Sequence, residues 1–535
     1  MADNDYDWAT EQVALRKTVQ HHIERAIFRN EKRRWAGLHD EATFVMPWFE
    51  YHRLTGSKEI LDFLLLILEY SREWQAQAFH HGYWKDGEAH HQSETFLNHL
   101  CHYWPITGAA EHIEIVEDAA HHVGNWVDGI PPWYDYEHNR FRSWFCGTKT
   151  VRDQVPDNFE NMECWRYILI GLNAWQANGN DRYIELARTY GRSWQREILQ
   201  TGHVVRLFRF PIDDLDEIER TYFVEGNWRL NRHRECHHYA NRYGADWEKG
   251  LEAYKAVYGY AGIMTRALLD LWKLTGEDIW RQMVQRMVEI PAEKWGHKGP
   301  AGRLSAYEMT EVTGDESWAE RAAAAVDRNI DPLPDCFISV PHPDGRKDGW
   351  QRSSINKFAL SQPDGSAVPY PASNAGALLA AGTYLDDLDL HARAYRLAAT
   401  QLEIALPVMR DGWEHGCGGS GFLAGPAGQA TGALNAATMA PTHVAGKHQP
   451  GVLYSTEGAP GLPDCVAAVC RPRPTPRVTL ANTGRSTRKI AVEPQTAQWK
   501  RPARIDGKAC QMDTAGRLVV VLPPGQEKTV EFETA

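Results

Sequence analysis

Six glycine-centred turns recur along this chain, and each separates two segments that have the pattern of an amphipathic helix. Glycine directly after a helix end adopts the left-handed cap conformation without strain, and the polar residues that follow suit the first turn of a new helix. The repeat therefore predicts six αα-hairpins in series. The turns are Thr55-Gly56, Thr107-Gly108, Asn178-Gly179, Thr275-Gly276, Thr313-Gly314 and Ala381-Gly382.

Six hairpins in series predict a mainly α fold, a closed (α/α)6 toroid. Short links within the hairpins alternate with long links between them, so the two kinds of link are expected at opposite ends of the ring. Long links in a compact domain are often functional, and these carry His, Tyr, Trp, Arg and carboxylates. We therefore expect the site at the end formed by links 80–91, 129–157, 201–245, 291–302 and 330–373.

The helical pattern predicts individual elements. An opening helix is expected over about 8–29, and an extended hairpin within 203–210, where β-branched and aromatic residues alternate. The expected helix pairs are 41–54 with 58–77, 92–106 with 109–127, 158–176 with 181–199, 246–274 with 277–290, 303–312 with 316–328, and 374–381 with 385–406.

Composition changes after Leu406. We predict a toroid domain over 1–410, a connector over 411–463 on the side of the site, rich in Gly, Ala and Pro with few helix signals, and a small β-sandwich over 464–535. Short alternating runs bounded by Pro and Gly support the sandwich. These runs are 466–469, 477–481, 489–492, 517–522 and 528–532.

Charge and hydropathy exclude some functions. A net charge of −12 disfavours a nucleic-acid partner, which would require a basic face. The best apolar run, 60–68, contains Asp62 and is too short for a bilayer, so no membrane partner is expected. The acidic N-terminus lacks a signal-peptide pattern, which predicts a cytoplasmic protein unless a leader was removed. Nine cysteines without CxxC spacing fit reduced thiols.

The link over 82–94 carries the first candidate site. Asp86-Gly87 predicts a turn, and Ser93 and Glu94 are expected to open the next helix. Glu94 has either a catalytic role or an ordinary role as a helix-dipole partner. His90 and His91 are adjacent, so one is expected to reach the pocket while the other packs, and Trp84 is a candidate for stacking on a sugar ring.

A second candidate lies at 153–163, which offers several carboxylates where a helix is expected to begin. Asp157 and Glu160 fit a capping box, which would make them structural. They also fit glycoside hydrolysis, in which one carboxyl donates a proton and another activates water or attacks carbon. Asp153 and Glu163 lie in the same segment.

The third candidate, 222–243, is the densest polar and aromatic stretch of the chain. Arg can neutralise a uronate carboxylate, after which a His or Tyr abstracts the C5 proton in β-elimination. His233 and His237 have metal-ligand spacing if helical, but structural hydrogen bonding is the favoured reading. The candidates here are Tyr222, Trp228, Arg229, Arg232, Arg234, His237, His238 and Tyr239.

Two further loops carry Trp350, Arg352 and His415, which suit binding of sugar rings and hydroxyls. The chain has no phosphate-binding loop, nucleophile elbow or zinc signature. We therefore predict no cofactor and assign no metal ligands, and the sequence leaves open whether a structural metal is bound.

Taken together, the six Gly-turn hairpins, the aromatic and charged links and the C-terminal strands resemble the six-hairpin glycosidase superfamily and the toroid polysaccharide lyases. The likeness is greatest to uronate-active members, the β-glucuronidase-like and unsaturated-glucuronyl hydrolases. It covers residues 8–535 as architecture, and only 83–94 and 153–163 as motif-like sequence. It implies catalytic roles for Glu94, Asp157 or Glu160.

The predicted function is hydrolysis of glycosidic bonds in acidic, uronate-containing oligosaccharides. His90, His91, His237 and His238 are expected to assist the carboxylates. A lyase that uses His and Tyr239, with Arg on the uronate, is the close alternative. A sugar epimerase and a glycan-binding protein without catalysis also remain open, and the sequence gives no oligomeric state.

Overall fold

The computed structural model describes residues 7–32, 39–154, 159–200, 207–209, 263–295, 306–325, 337–339, 359–361, 367–368, 375–405, 420–438, 451–471, 475–495 and 501–533. These residues are mainly helical, with several antiparallel sheets. None of the described helices is both long enough and apolar enough to cross a bilayer.

The helices are numbered here in chain order. They are α1 (Trp8–Lys32), α2 (His39–Thr55), α3 (Lys58–Ala78), α4 (Ala89–Asn98), α5 (Trp104–Thr107), α6 (Ala110–Val123), α7 (Trp165–Asn178), α8 (Asp181–Gln200), α9 (263–275), α10 (Asp278–Trp295), α11 (Ala306–Thr313), α12 (Ser317–Ala325), α13 (Ala375–Leu385), α14 (Leu388–Ala405) and α15 (Ser420–Asn435).

Five of the six predicted glycine turns are confirmed in the same conformation. The glycine has a φ between +64° and +73°, and its N–H donates to the carbonyl four residues earlier at 2.7–2.9 Å. Each glycine thus forms a left-handed cap that satisfies one of the last helix carbonyls. The five are Gly56, Gly108, Gly179, Gly276 and Gly314.

The threonine before the glycine closes four of these turns. In the α9–α10 turn, the Thr275 hydroxyl donates to Leu271 O at 2.6 Å and accepts from the Glu277 N–H at 3.2 Å. The same pair of bonds is made by Thr55, Thr107 and Thr313. One hydroxyl thereby links the end of one helix to the start of the next, and in the Gly179 turn the Asn178 side chain accepts from Asn180 N at 2.9 Å.

The sixth turn was predicted four residues too early. Gly382 lies inside α13, and the left-handed residue is Asp386, with a φ of +58°. Asp387 then caps α14, because its Oδ1 accepts from the N–H groups of Asp389 and Leu390. Glycine at 382 serves close packing instead: a Cβ there would lie 2.8 Å from the His391 ring and 2.9 Å from Asp387 O.

Two predicted helices are interrupted. The helix expected over 92–106 is α4, a 3-10 turn at Leu100–His102, and α5, in which Pro105 occupies the first turn where its missing N–H is harmless. The helix expected from 158 instead begins as a strand, Phe159–Asn161, followed by a 3-10 turn at Met162–Cys164. The capping-box role expected for Glu160 is therefore wrong.

The described residues divide into two compact units. The first unit consists of the described residues within Met1–Glu73, Ala319–His443 and Lys447–Ala535. In it α1 packs on α14, and α2 packs on α15, a helix that the predicted connector did not anticipate. The Gln12 side chain of α1 makes two hydrogen bonds with the backbone of Ala468, which ties this helix to the sheet region.

Two antiparallel sheets follow α15 in the same unit, and they confirm the five predicted strand runs with minor shifts of their ends. The strand order is 466–471, 477–482, 527–533, 501–505 and 508–509 in one sheet, and 518–522, 488–494, 452–456 and 459–460 in the other. The strands are Val452–Thr456, Ala459–Pro460, Val466–Arg471, Arg477–Asn482, Arg488–Pro494, Arg501–Ile505, Lys508–Ala509, Leu518–Leu522 and Glu527–Glu533. Three short strands, Phe337–Ser339, Ala359–Ser361 and Ala367–Val368, form a separate antiparallel sheet.

The second unit takes the described residues of Trp74–Trp318. Here α6, α7 and α8 pack in succession, α8 contacts α10, and α4 packs on α7. An antiparallel hairpin pairs Tyr134–Asp135 with Arg140–Phe141, and residues 136–139 form its turn. Strand Leu207–Arg209, predicted as part of a local hairpin, pairs instead with Phe159–Asn161.

Alanine at position 382 should destabilise the protein, although alanine favours helices. Replacing a helical glycine by alanine stabilises by about 1 kcal/mol, but the contacts of the new methyl with His391 and the Asp387 carbonyl cost about 1–3 kcal/mol. We expect Gly382→Ala to lower the free energy of unfolding, and Gly428→Ala, at an exposed helical site with no atom near the added Cβ, to raise it. Urea titration followed by circular dichroism measures both, and a stabilised Gly382→Ala would contradict the packing role.

Candidate active site

The first candidate segment folds as a capped helix. Glu88 is the N-cap of α4, and its carboxylate accepts from the N–H groups of His90 at 2.9 Å and His91 at 3.2 Å. Backbone pairing with the link after the β-hairpin fixes this cap, because Ala89 N donates to Trp144 O at 2.8 Å. The helix thus begins three residues before the predicted start at 92, and Glu94 lies in its second turn.

His90 lies between two carboxylates. Its Nδ1 is 3.0 Å from a Glu163 oxygen and its Nε2 is 3.3 Å from a Glu94 oxygen. Glu94 lies one helical turn after His90 on the same face of α4, whereas Glu163 comes from the 3-10 turn before α7. The packing of α4 on α7 therefore brings the two sequence candidates together.

The two carboxylates differ in access to solvent. The Glu94 side chain is 14% exposed and His90 is 31% exposed, whereas Glu163 is 5% exposed. Glu163 also receives the Arg166 Nε–H at 2.6 Å. Burial by itself would raise the pKa of Glu163, but the charges of Arg166 and His90 outweigh it and lower this pKa to about 2.

A proton can be shared between His90 and Glu94. A protonated imidazole donates to both carboxylates, whereas a neutral ring donates to one and presents a lone pair to the other. With a neutral ring, both hydrogen bonds form when Glu94 carries a proton and donates it to the Nε2 lone pair. The 3.3 Å contact therefore accommodates a hydrogen bond between His90 Nε2 and Glu94 with the proton on either side chain.

The neighbouring His91 belongs to a second ion pair. Its Nδ1 contacts the Glu88 carboxylate, and its ring lies nearly parallel to that of Trp84, with centroids 6.3 Å apart. Burial favours the neutral ring, but the hydrogen bond and charge of Glu88 outweigh burial and raise the pKa of His91. The ring is 40% exposed, so both predicted histidines reach solvent.

Glu160 occupies a different environment. It is fully buried, its Oε1 accepts from Arg140 at 3.0 Å, and its Oε2 accepts from Phe141 N at 2.8 Å. Burial raises the pKa of Glu160 to about 7, and Arg140 offsets only part of that effect. Its hydrogen bonds join strand 159–161 to the 134–141 hairpin, whereas Glu163, three residues later, joins the His90 group.

Arginine residues border the start of α4. Arg152 pairs with Asp86 and lies 4.2 Å from the centroid of the Phe145 ring, and Arg142 pairs with Asp153 at 3.5 Å. These side chains are about one-third exposed. Each of these two arginine charges is thereby paired with an aspartate.

Of the predicted site residues, the structure brings together Glu94, His90 and His91, with Trp84 against His91. Glu160 is described but lies apart from this group, bonded to Arg140 and Phe141. The remaining candidates lie outside the described residues: Asp157, Tyr222, Trp228, Arg229, Arg232, Arg234, His237, His238, Tyr239, Trp350, Arg352 and His415. Sequence reasoning missed Glu88 and Arg166. The spacing of Glu163 and Arg166, three residues apart on a helix start, is a signal that could have identified the pair.

Two groups of side chains in the described part of the chain have metal-type donors: His81 with Asp118 and His122, and Asp135 with Glu137 and His138. Members of the second group bond to each other in an exposed turn, where Asp135 accepts from Glu137 N at 3.0 Å and contacts His138 at 2.6 Å. The hydrogen bonds of this turn account for the closeness of Asp135, Glu137 and His138. Neither group includes His90 or Glu94.

Comparison with known proteins finds likeness among solved structures and none among family profiles or curated sequences. Among solved structures, an unsaturated glucuronyl hydrolase specific for heparin matches with a TM-score of 0.34 and 10% identity, over 74% of this chain and 84% of that one. At this TM-score the match assigns no function.

The two buried glutamates should give opposite pH dependences of stability. Glu160 has a folded pKa of about 7 against an ordinary 4.5, so its contribution to stability is present below pH 4.5 and is lost as pH rises through 7. Glu163 has a folded pKa of about 2, so its contribution is present above pH 4.5 and is lost as pH falls towards 2. Each glutamate's contribution to the free energy of unfolding changes by about 3 kcal/mol, since one pKa unit corresponds to about 1.4 kcal/mol.

Urea unfolding of Glu160→Gln and Glu163→Gln between pH 3 and 8 measures these contributions. The free energy of unfolding of Glu160→Gln should increase relative to that of the wild type as pH rises from about 5 to about 8. Glu163→Gln should be less stable than the wild type near neutral pH. This difference in the free energy of unfolding should decrease as the pH is lowered. The same trend in both variants would contradict the assigned environments.

Proposed function

We propose that this chain is a glycoside hydrolase that acts on oligosaccharides containing uronic acid, with Glu94 as its acid/base residue. The observation that carries the proposal is the position of His90 between Glu94 and Glu163. It supplies a partly exposed carboxyl paired with an imidazole ring, which suits one of the two carboxyl roles in glycosidic hydrolysis, that of the acid/base.

Each member of this group has a distinct role in the proposal. Glu163 stays ionised, because its pKa is about 2, and it orients the His90 ring through Nδ1. The ring then faces Glu94 through Nε2 and exchanges a proton with it. Glu94 delivers that proton to the leaving oxygen and recovers it from water. Glu163 and Arg166 are positioning residues, since both are buried and bonded to each other.

Hydrolysis requires a second carboxylate, and Asp157 is our candidate. It lies six residues before Glu163 in the same link. Glu160 fits this role less well, because both its oxygens accept buried hydrogen bonds. The acidic substrate is inferred from Arg229, Arg232 and Arg234 in the sequence, together with Arg152 beside the α4 cap.

The proposed architecture remains an (α/α)6 toroid with a C-terminal β-sandwich. Support comes from the five glycine turns in one conformation and from the two antiparallel sheets after α15. The packing of α1 on α14 brings the first described helix against a helix of the last predicted pair, as a closed ring requires.

Elimination is the second candidate, and the His91–Glu88 pair favours it. An exposed histidine whose basicity is increased by a carboxylate is suited to abstract the C5 proton of a uronate. In that reaction an arginine would neutralise the substrate carboxylate. His237, His238 and Tyr239 are further candidates for the acid and base of this route.

Removal of the ionisable group at Glu94 should distinguish these reactions. We expect Glu94→Gln to lower kcat by about 10²–10⁴-fold, the usual contribution of general acid–base catalysis, with unchanged circular dichroism. Activity is measured with uronate-containing and neutral disaccharides, by release of reducing ends and by ultraviolet absorbance of the unsaturated uronate. Glu111→Gln, an exposed glutamate in the first turn of α6, is the matched control.

Reducing ends without new absorbance would support hydrolysis, and an absorbance rise would indicate elimination. If Glu94→Gln retains turnover while His91→Gln, His238→Ala or Tyr239→Phe abolishes it, the lyase assignment replaces the hydrolase. Equal activity on neutral and uronate disaccharides would contradict the proposed substrate class. Arg232→Ala should weaken uronate binding without a change in melting temperature.

A further inference from the structure

Three side chains with metal-binding donors converge at the start of the link that leads to α4. His81 lies two residues before Tyr83 in that link, and Asp118 and His122 lie one turn apart on α6. One donor atom from each residue lies within 4.8 Å of the donors of the other two. His81 and Asp118 are exposed, whereas His122 is 1% exposed.

His122 has one ring nitrogen that its protein surroundings leave unsatisfied. Its Nδ1 is 2.7 Å from the carbonyl oxygen of Asp118, and because a carbonyl can only accept, Nδ1 carries the hydrogen. Its Nε2 is buried and has no hydrogen-bond partner within the described part of the chain. A buried polar atom normally has a hydrogen-bond partner. The lone pair of Nε2 is therefore available to bind a ligand.

The tautomer is the one that metal coordination requires. A histidine ligand usually donates its other N–H to a carbonyl or carboxylate, which orients the ring and fixes the lone pair on the coordinating nitrogen. The Asp118 carbonyl performs this function for His122. The His81 ring lies against the His122 ring, with centroids 5.1 Å apart.

We propose that His81, Asp118 and His122 bind a divalent transition-metal ion, with zinc as the fitting species. Two imidazoles and one carboxylate match the ligand types of zinc, and three protein ligands leave a fourth position for water. Tetrahedral zinc places its ligands about 3.3 Å from one another, so the exposed His81 and Asp118 side chains move inward when the ion binds.

Contacts of Tyr83 hold the link that carries His81 against α6. The Tyr83 hydroxyl donates to Ala119 O at 2.9 Å, and its ring packs against His122 with centroids 5.2 Å apart. These contacts hold the link on α6 without the ion. Metal binding would add a second attachment, between His81 and α6, at the beginning of the segment that ends with Glu88 and His90.

A metal titration of the full-length protein tests the site. The protein is treated with EDTA, desalted, and titrated with Co²⁺ while visible absorption is recorded, and with Zn²⁺ by calorimetry. We expect one equivalent to bind, with Co²⁺ bands of nitrogen and oxygen ligation and no thiolate charge-transfer band. Zn²⁺ should displace Co²⁺, as expected from the ligand set.

Two exposed residues supply variants that should fold. Asn is chosen at position 81 because His81 has a φ of +52°, which Asn tolerates. Asp118→Asn removes the charge and keeps the shape. Each variant should weaken Zn²⁺ binding by about 10-fold or more, whereas Glu114→Gln, an exposed glutamate on the same helix, should bind as wild type does.

Several results would overturn the assignment. They are no uptake of Co²⁺ or Zn²⁺ by the wild type, a thiolate band in the Co²⁺ spectrum, and equal affinity of His81→Asn and wild type. Tighter binding of Mg²⁺ or Ca²⁺ than of Zn²⁺ would also contradict a site built on two imidazoles. Circular dichroism of each variant shows that it retains the fold.

Discussion

The helical hairpins depend on one local constraint, a residue with positive φ directly after the first helix. In five hairpins this residue is glycine, which reaches the left-handed region without the strain that a Cβ introduces. The threonine before it adds a hydroxyl that bonds to both helices in four of the turns. Short links are possible because the threonine and the glycine together satisfy the carbonyls at the end of one helix and bond to the start of the next.

The sixth turn shows that the constraint is on conformation and not on residue type. Asp386 adopts the positive φ there, and Asp387 caps the following helix. The nearby Gly382 meets a different requirement, close approach of the His391 ring and a backbone carbonyl. Both requirements select glycine, so a sequence pattern does not distinguish a turn from a tight helix contact.

The candidate site shows how surroundings separate chemically identical side chains. Glu160 and Glu163 are both buried, yet burial dominates one pKa while charge dominates the other. Glu163 meets Arg166 at 2.6 Å and His90 at 3.0 Å, whereas Glu160 meets one arginine at 3.0 Å and a backbone N–H. The number and closeness of cationic partners decides the result, because burial penalises both carboxylates. Glu94, by contrast, keeps 14% of its side chain exposed.

The sequence by itself determined the hairpin turns and the C-terminal strands, and it predicted the segments around His90 and Glu163 as candidate sites. These features follow from local rules: left-handed caps, helical and alternating periodicity, and polar residues concentrated in long links. Tertiary structure decided which residues meet. The packing of α4 on α7 joins Glu94 to Glu163 through His90 and buries Arg166. Pairing of strand 159–161 with 207–209 turned a predicted helix start into a strand and enclosed Glu160, since desolvation and ion pairing depend on neighbours that are distant in sequence.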